Sequence, residues 1–166
     1  MKTKLNLNLH STHHVKCIGS DGVLKWEEKK TNLVVDEGLY FVLECSFMDR
    51  DQEKWYCGMY ESGVPSATDT MENHPGWVEF RGYTTARRPE CIFYETPTRE
   101  IHNILTSNEC QFMIAKAGTV VGALLTTGES TITTDGILYG VSAFQTPRDV
   151  VVGDSLLVTI TLGATS

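Results

Sequence analysis

Short apolar or alternating runs, each closed by a turn signal, recur along most of the chain, and this punctuation limits the fold more than any other feature. Residues 5–9 alternate Leu-Asn-Leu-Asn-Leu, the period of two that suits a half-buried strand. Runs at 14–18 and 23–28 flank Gly19-Ser20-Asp21-Gly22, whose Asp-Gly step predicts a hairpin. Trp55–Tyr60 reads as a buried strand, and further strand-like runs occupy 77–83, 91–95, 110–115, 119–127, 137–144 and 156–162. Between them stand Ala117-Gly118, Gly128-Glu129-Ser130, Asp135-Gly136 and Gly153-Asp154, all turn formers. One segment departs from this pattern. Asp36 is placed to cap a helix over 36–47, in which Leu39, Tyr40, Leu43 and Phe47 recur at helical spacing. Many short strands with glycine-rich turns and one helix predict an all-β chain, a jelly-roll-like sandwich in a single domain over 1–166. Residues 61–76, polar and carrying Pro65 and Pro75, are expected to form a long surface loop.

Charge and cysteine usage narrow the role. Lys plus Arg number 14 against 21 Asp plus Glu, a net charge of −7, which disfavours a nucleic-acid partner because phosphates call for a basic stripe. No apolar run nears the ~20 residues that span a bilayer, and the N-terminus lacks a signal-peptide core, so neither membrane nor secretory route is expected. The five cysteines form no CxxC pair and no glycosylation sequon occurs, which predicts reduced thiols in a protein made in a cytoplasm.

Candidate chemistry is sparse. His10 and His14 would share a face of a strand, near His13, but no further ligand follows at zinc-site spacing. Asp49, Asp51 and Glu53 open like a calcium loop, yet Lys54 stands where glycine is needed and Tyr60 where glutamate is needed. Glu72 and His74 are a conceivable proton-transfer couple, without any nucleophile, cofactor or metalloprotease signature around them. The expectation is therefore no catalysis, no cofactor and no metal. Arg81, Arg87, Arg88 and Arg99 concentrate positive charge among Tyr83, Phe93 and Tyr94, but Glu79, Glu90, Glu95 and Glu100 neutralise it. Such mixed charge fits a protein interface better than single-stranded nucleic acid. Candidate partner contacts are Arg81, Arg87 and Arg88, together with Leu5, Leu7 and Leu9 on an edge strand able to pair with a neighbouring subunit.

Several stretches taken in order, Thr31–Leu39, Trp55–Tyr60, Ala67–Met71, Tyr83 with Arg87-Arg88-Pro89, Gly122–Leu125, Gly136–Leu138, Ser142–Arg148 and Val152–Leu162, resemble a family of small structural proteins of tailed bacteriophages. The resemblance covers most of the chain, and its motifs are glycines, turns and aromatics. It implies a β-sandwich that acts as a capsid cement or decoration protein, a homo-oligomer that binds and stabilises the major capsid protein shell on the virion surface. A tail- or fibre-associated module recognising a host surface or carbohydrate is the alternative. Exposed aromatics such as Trp77 would favour that second role.

Overall fold

The fold comes from a computed structural model that describes residues 8–104 and 109–165. In chain order its elements are β1 (Asn8–Ile18), β2 (Leu24–Thr31), β3 (Leu33–Val34), α1 (Asp36–Phe47), β4 (Trp55–Gly63), β5 (Trp77–Phe80) and β6 (Glu90–Cys91). They continue with β7 (Tyr94–Glu95), β8 (Glu100–His102), β9 (Cys110–Met113), β10 (Gly118–Thr126), β11 (Leu138–Val150) and β12 (Ser155–Thr165). The expected all-β sandwich with one helix is what forms. One sheet runs β2-β1-β12-β8-β7, with β9 beside β8 on β12; the other runs β3-β11-β10-β4-β5, with β6 beside β5 on β4.

Alternation along β1 dictates its two faces. Ser11, His13, Val15 and Cys17 point inward and are buried, while His10, His14 and Lys16 point outward. The strand is antiparallel to β12 along its whole length, from Asn8 opposite Thr165 to Ile18 opposite Ser155. The predicted hairpin joins β1 to β2. Asp21 Oδ1 accepts the Val23 amide at 3.0 Å, and Gly22 supplies the left-handed residue at φ 79°. β2 is the outer strand of its sheet, and its Lys-Glu-rich sequence discourages pairing with other chains.

Between the sheets pack Val15, Met59, Phe112, Leu125, Leu156 and Ile160 among others. A second cluster, Val35, Tyr60, Met71, Trp77, Leu124, Leu138 and Val141, uses the alternate residues of β4 and β10 and so lies on the other face of that sheet. This explains why Ala123-Leu124-Leu125 is apolar without alternation: the strand is covered on both sides. The cover is the segment 64–76, which buries Met71 and Asp69. The segment expected as a surface loop is mostly exposed and is anchored by the buried Asp69 and Met71, and β4 extends three residues into it, to Gly63.

The helix spans the predicted residues, but its ends and faces differ from expectation. Val35, not Asp36, is the N-cap residue and makes no side-chain cap. Glu37 carries that end instead, its carboxylate accepting the amides of Met71 at 3.0 Å and Leu138 at 2.7 Å. Gly38 presses onto β11 so closely that a Cβ there would lie 2.4 Å from the Tyr139 carbonyl oxygen. Phe41 stacks edge-on against Trp55, and Trp55 against Tyr139. Further along β11, Arg148 donates to Glu28 of β2 from Nε at 3.0 Å and Nη2 at 2.6 Å.

Candidate functional site

With Gly38 and Phe41 turned inward, the residues whose spacing marks the helix face outward. Leu39, Tyr40, Leu43 and Phe47 occupy an arc of about 100° of the helix, and all are exposed, Phe47 by 81% and the following Met48 by 74%. An apolar helical stripe ordinarily faces a core; here it is left without a partner among the described residues. The patch continues off the helix. Leu39 and Leu33 line one shallow groove with Leu9 and Val34. Leu9 also borders an apolar hollow of about 510 Å3 at this end of the sandwich, walled by Val42, Trp55, Tyr139 and Leu162. Contiguous exposed apolar surface of this kind marks interaction sites in proteins.

Of the apolar strand face expected at the N-terminus, Leu5 and Leu7 lie outside the described residues, and Leu9 is half-buried beside this patch. β1 runs between β12 and β2 only from Thr12 onward. Asn8 and Leu9 pair with β12 alone among the described strands, so this part of β1 has an open edge.

The arginines do not act as a group. Arg81 is exposed on the wall of an open cleft of about 750 Å3 that also presents Lys116, Glu61 and Glu72. Arg87 is a surface residue, its side chain 75% accessible, paired with Glu129 at 2.9 Å. Arg88 corrects the expectation of a partner contact. Its side chain is fully buried and holds Glu79 through Nε at 2.7 Å and Nη2 at 2.8 Å. Nη1 donates to the carbonyls of Gly128 and Ser130. Charge composition alone could not separate this internal arginine from its exposed neighbour.

The histidines have separate duties. His10 and His14 share the outer face of β1, but each meets a different carboxylate, Glu100 at 3.8 Å and Glu27 at 2.9 Å. Among the described residues no three His, Cys, Asp or Glu side chains are grouped to hold a metal. His13 is buried and bridges the sheets: Asn32 Nδ2 lies 3.2 Å from Nε2, and Nδ1 lies 2.8 Å from Ser142 Oγ. The Asn32 amide nitrogen can only donate to Nε2, and Ser142 Oγ donates onward to the Ala123 carbonyl at 3.4 Å, so Nδ1 carries the proton and donates to Ser142. Burial lowers the His13 pKa to about 3, which keeps the ring neutral.

His74 stacks on Trp77 with ring centroids 3.8 Å apart, and its Nδ1 lies 3.2 Å from the Trp77 carbonyl oxygen. Trp77 itself is buried and donates its indole N–H to Asp69 at 2.9 Å, so it offers no face to a sugar. Asp49–Glu53 is the turn after the helix, where Asp49 adopts φ 54° and Arg50 pairs with Glu44 and Glu53. No described helix is long and apolar enough to cross a membrane. Comparisons with family models, with curated proteins and with solved structures find no match.

Proposed function

We propose that this chain is a bacteriophage virion structural protein of the cement or decoration type, which binds the major capsid protein and stabilises the shell. The observation that carries the reading is the outward apolar face of α1. Burying Tyr40, Leu43 and Phe47 against another protein would contribute roughly 1.5–3 kcal/mol for each side chain, before the cost of association. A rigid sandwich presenting such a face is suited to clamping neighbouring subunits. The phage-like glycine, turn and aromatic pattern supports the choice of partner. The open edge of β1 at Asn8 and Leu9 supports self-association by strand pairing, giving a homo-oligomer. The account requires no cofactor, metal, nucleic acid or membrane.

The experiment is binding of purified protein to capsids that lack it, read by co-sedimentation. Leu43→Asp with Phe47→Asp alters exposed positions and should leave the fold intact while reducing capsid occupancy at least tenfold. Full occupancy by the folded double variant would reject this face as the contact. The alternative, a tail or fibre module that recognises a host carbohydrate, loses the support expected from Trp77, which is internal.

A further inference from the structure

Three cysteines far apart in sequence meet inside the sandwich. Cys91 lies on β6, which is held by β4, and Cys110 lies on β9, which is held by β12. The two residues therefore belong to opposite sheets. Their sulfurs are 2.7 Å apart, and both residues are almost wholly buried. Cys57 of β4, also buried, lies within hydrogen-bonding reach of both sulfurs. Asn103 Nδ2 approaches Cys110 Sγ at 3.5 Å. All five cysteines of the chain are free thiols.

We propose that Cys91 and Cys110 are a redox modification site, which a peroxide converts to a disulfide bolting one sheet to the other. Hydrogen bonds from the Cys57 and Cys91 thiols hold Cys110 below the ordinary thiol pKa, against the effect of burial, while burial pushes Cys57 and Cys91 up. With the two sulfurs in contact, whichever is deprotonated is the attacker, because the thiolate is the nucleophile. The thiolate attacks one oxygen of the peroxide, forming an S–O bond as the O–O bond breaks and hydroxide leaves. The facing sulfur then displaces that oxygen; the S–S bond forms, the S–O bond breaks, and the departing hydroxide is protonated. In sum two thiols and one hydrogen peroxide give one disulfide and two waters, with two electrons passing from sulfur to oxygen. Hydrogen peroxide is close to water in size, and β6 is only two residues long, so a local opening suffices to admit it. A dithiol reductant reverses the reaction.

The bond would close the loop 92–109 and join elements that are otherwise attached to different sheets. Closing a loop of ~20 residues stabilises mainly by restricting the unfolded chain, which corresponds to a rise of about 5–10 °C in Tm for a protein of this size. The site stands whether or not the chain is a virion protein.

The test is treatment of the folded wild-type protein with a few equivalents of hydrogen peroxide. Unfolding and alkylation follow, then reduction, a second alkylation with a distinguishable reagent, and peptide mapping. The expected result is a Cys91–Cys110 link, with the Tm raised by about 5–10 °C and returned by dithiothreitol. Cys57→Ala should still form the link, and Cys91→Ser should show neither link nor shift. The proposal is overturned if all five cysteines take the first label, if the link joins another pair, or if Cys110 proceeds to sulfinic acid without linking. The wild-type map decides the matter even if a variant fails to fold.

Discussion

Arg88 and Glu79 form a two-pronged ion pair out of contact with solvent, with Nε–Oε1 at 2.7 Å and Nη2–Oε2 at 2.8 Å and side chains 0% and 4% exposed. The remaining guanidinium nitrogen donates to the carbonyls of Gly128 and Ser130. The buried charge thus has partners on every prong, which is the condition for such a pair to persist in a low-dielectric interior. It fastens the turn at 128–130 to β5, and it does so from a position that composition alone marks as a surface patch.

Removing one member strands the other. Arg88→Ala should destabilise the fold by about 3–5 kcal/mol, whereas Arg87→Ala, which breaks an exposed pair, should change stability by less than about 0.5 kcal/mol. Urea unfolding of the two variants checks this, and equal effects would contradict the assignment of roles. A capsid-binding test of the arginines therefore belongs to Arg81 and Arg87 alone.

His13 sets an acid limit on stability. Its pKa is about 3 in the folded chain against an ordinary 6.5, so the unfolded chain takes up a proton first as pH falls. The contribution is fully present above pH 6.5 and is lost progressively between 6.5 and 3, amounting to roughly 4–5 kcal/mol over the whole window. Asp154 is buried, which pushes its carboxyl up, but the Lys25 ammonium at 2.7 Å and the Val151 amide outweigh this and hold it below 3.8. Its stabilisation is lost only as pH falls below that value. The slope of unfolding free energy between pH 6.5 and 4.5 should consequently flatten in His13→Gln. An unchanged slope would remove His13 as its source.

Gly38 offers a test by sign. Glycine to alanine within a helix normally stabilises by ~0.5–1 kcal/mol. Here the new methyl group meets the Tyr139 backbone, and Gly38→Ala should instead cost about 1–3 kcal/mol. Thermal denaturation distinguishes the two directions.

These residues also show what a reader of the sequence can reach. The helix was legible because a 3.6-residue period is a local property. Which face it buries was not, since Gly38 and Phe41, rather than the more numerous Leu39, Tyr40, Leu43 and Phe47, make the contact with β11 and β4. Strand positions followed from alternation and turns, but β11 runs past residue 144 to Val150 through the polar Gln145–Arg148, where composition resembles a loop. Trp77 looked exposed because its neighbours are polar; one of them, Asp69, is the partner that lets its indole be buried. The thiol cluster leaves no sequence signal, as pairing of β6 on β4 gathers Cys57 and Cys91 and the stacking of the two sheets adds Cys110. Of the residues expected to meet a partner, Leu9 borders the exposed apolar patch and Arg88 is internal, and the outward helix face emerged only when its orientation was known.

The most direct measurement of the central claim is a particle reconstruction of phage virions assembled in the presence of this chain. The account predicts hundreds of copies on the outer capsid surface, with Tyr40, Leu43 and Phe47 buried against the major capsid protein. A few copies confined to the tail, or a capsid-bound chain with that helix face left in solvent, would contradict it.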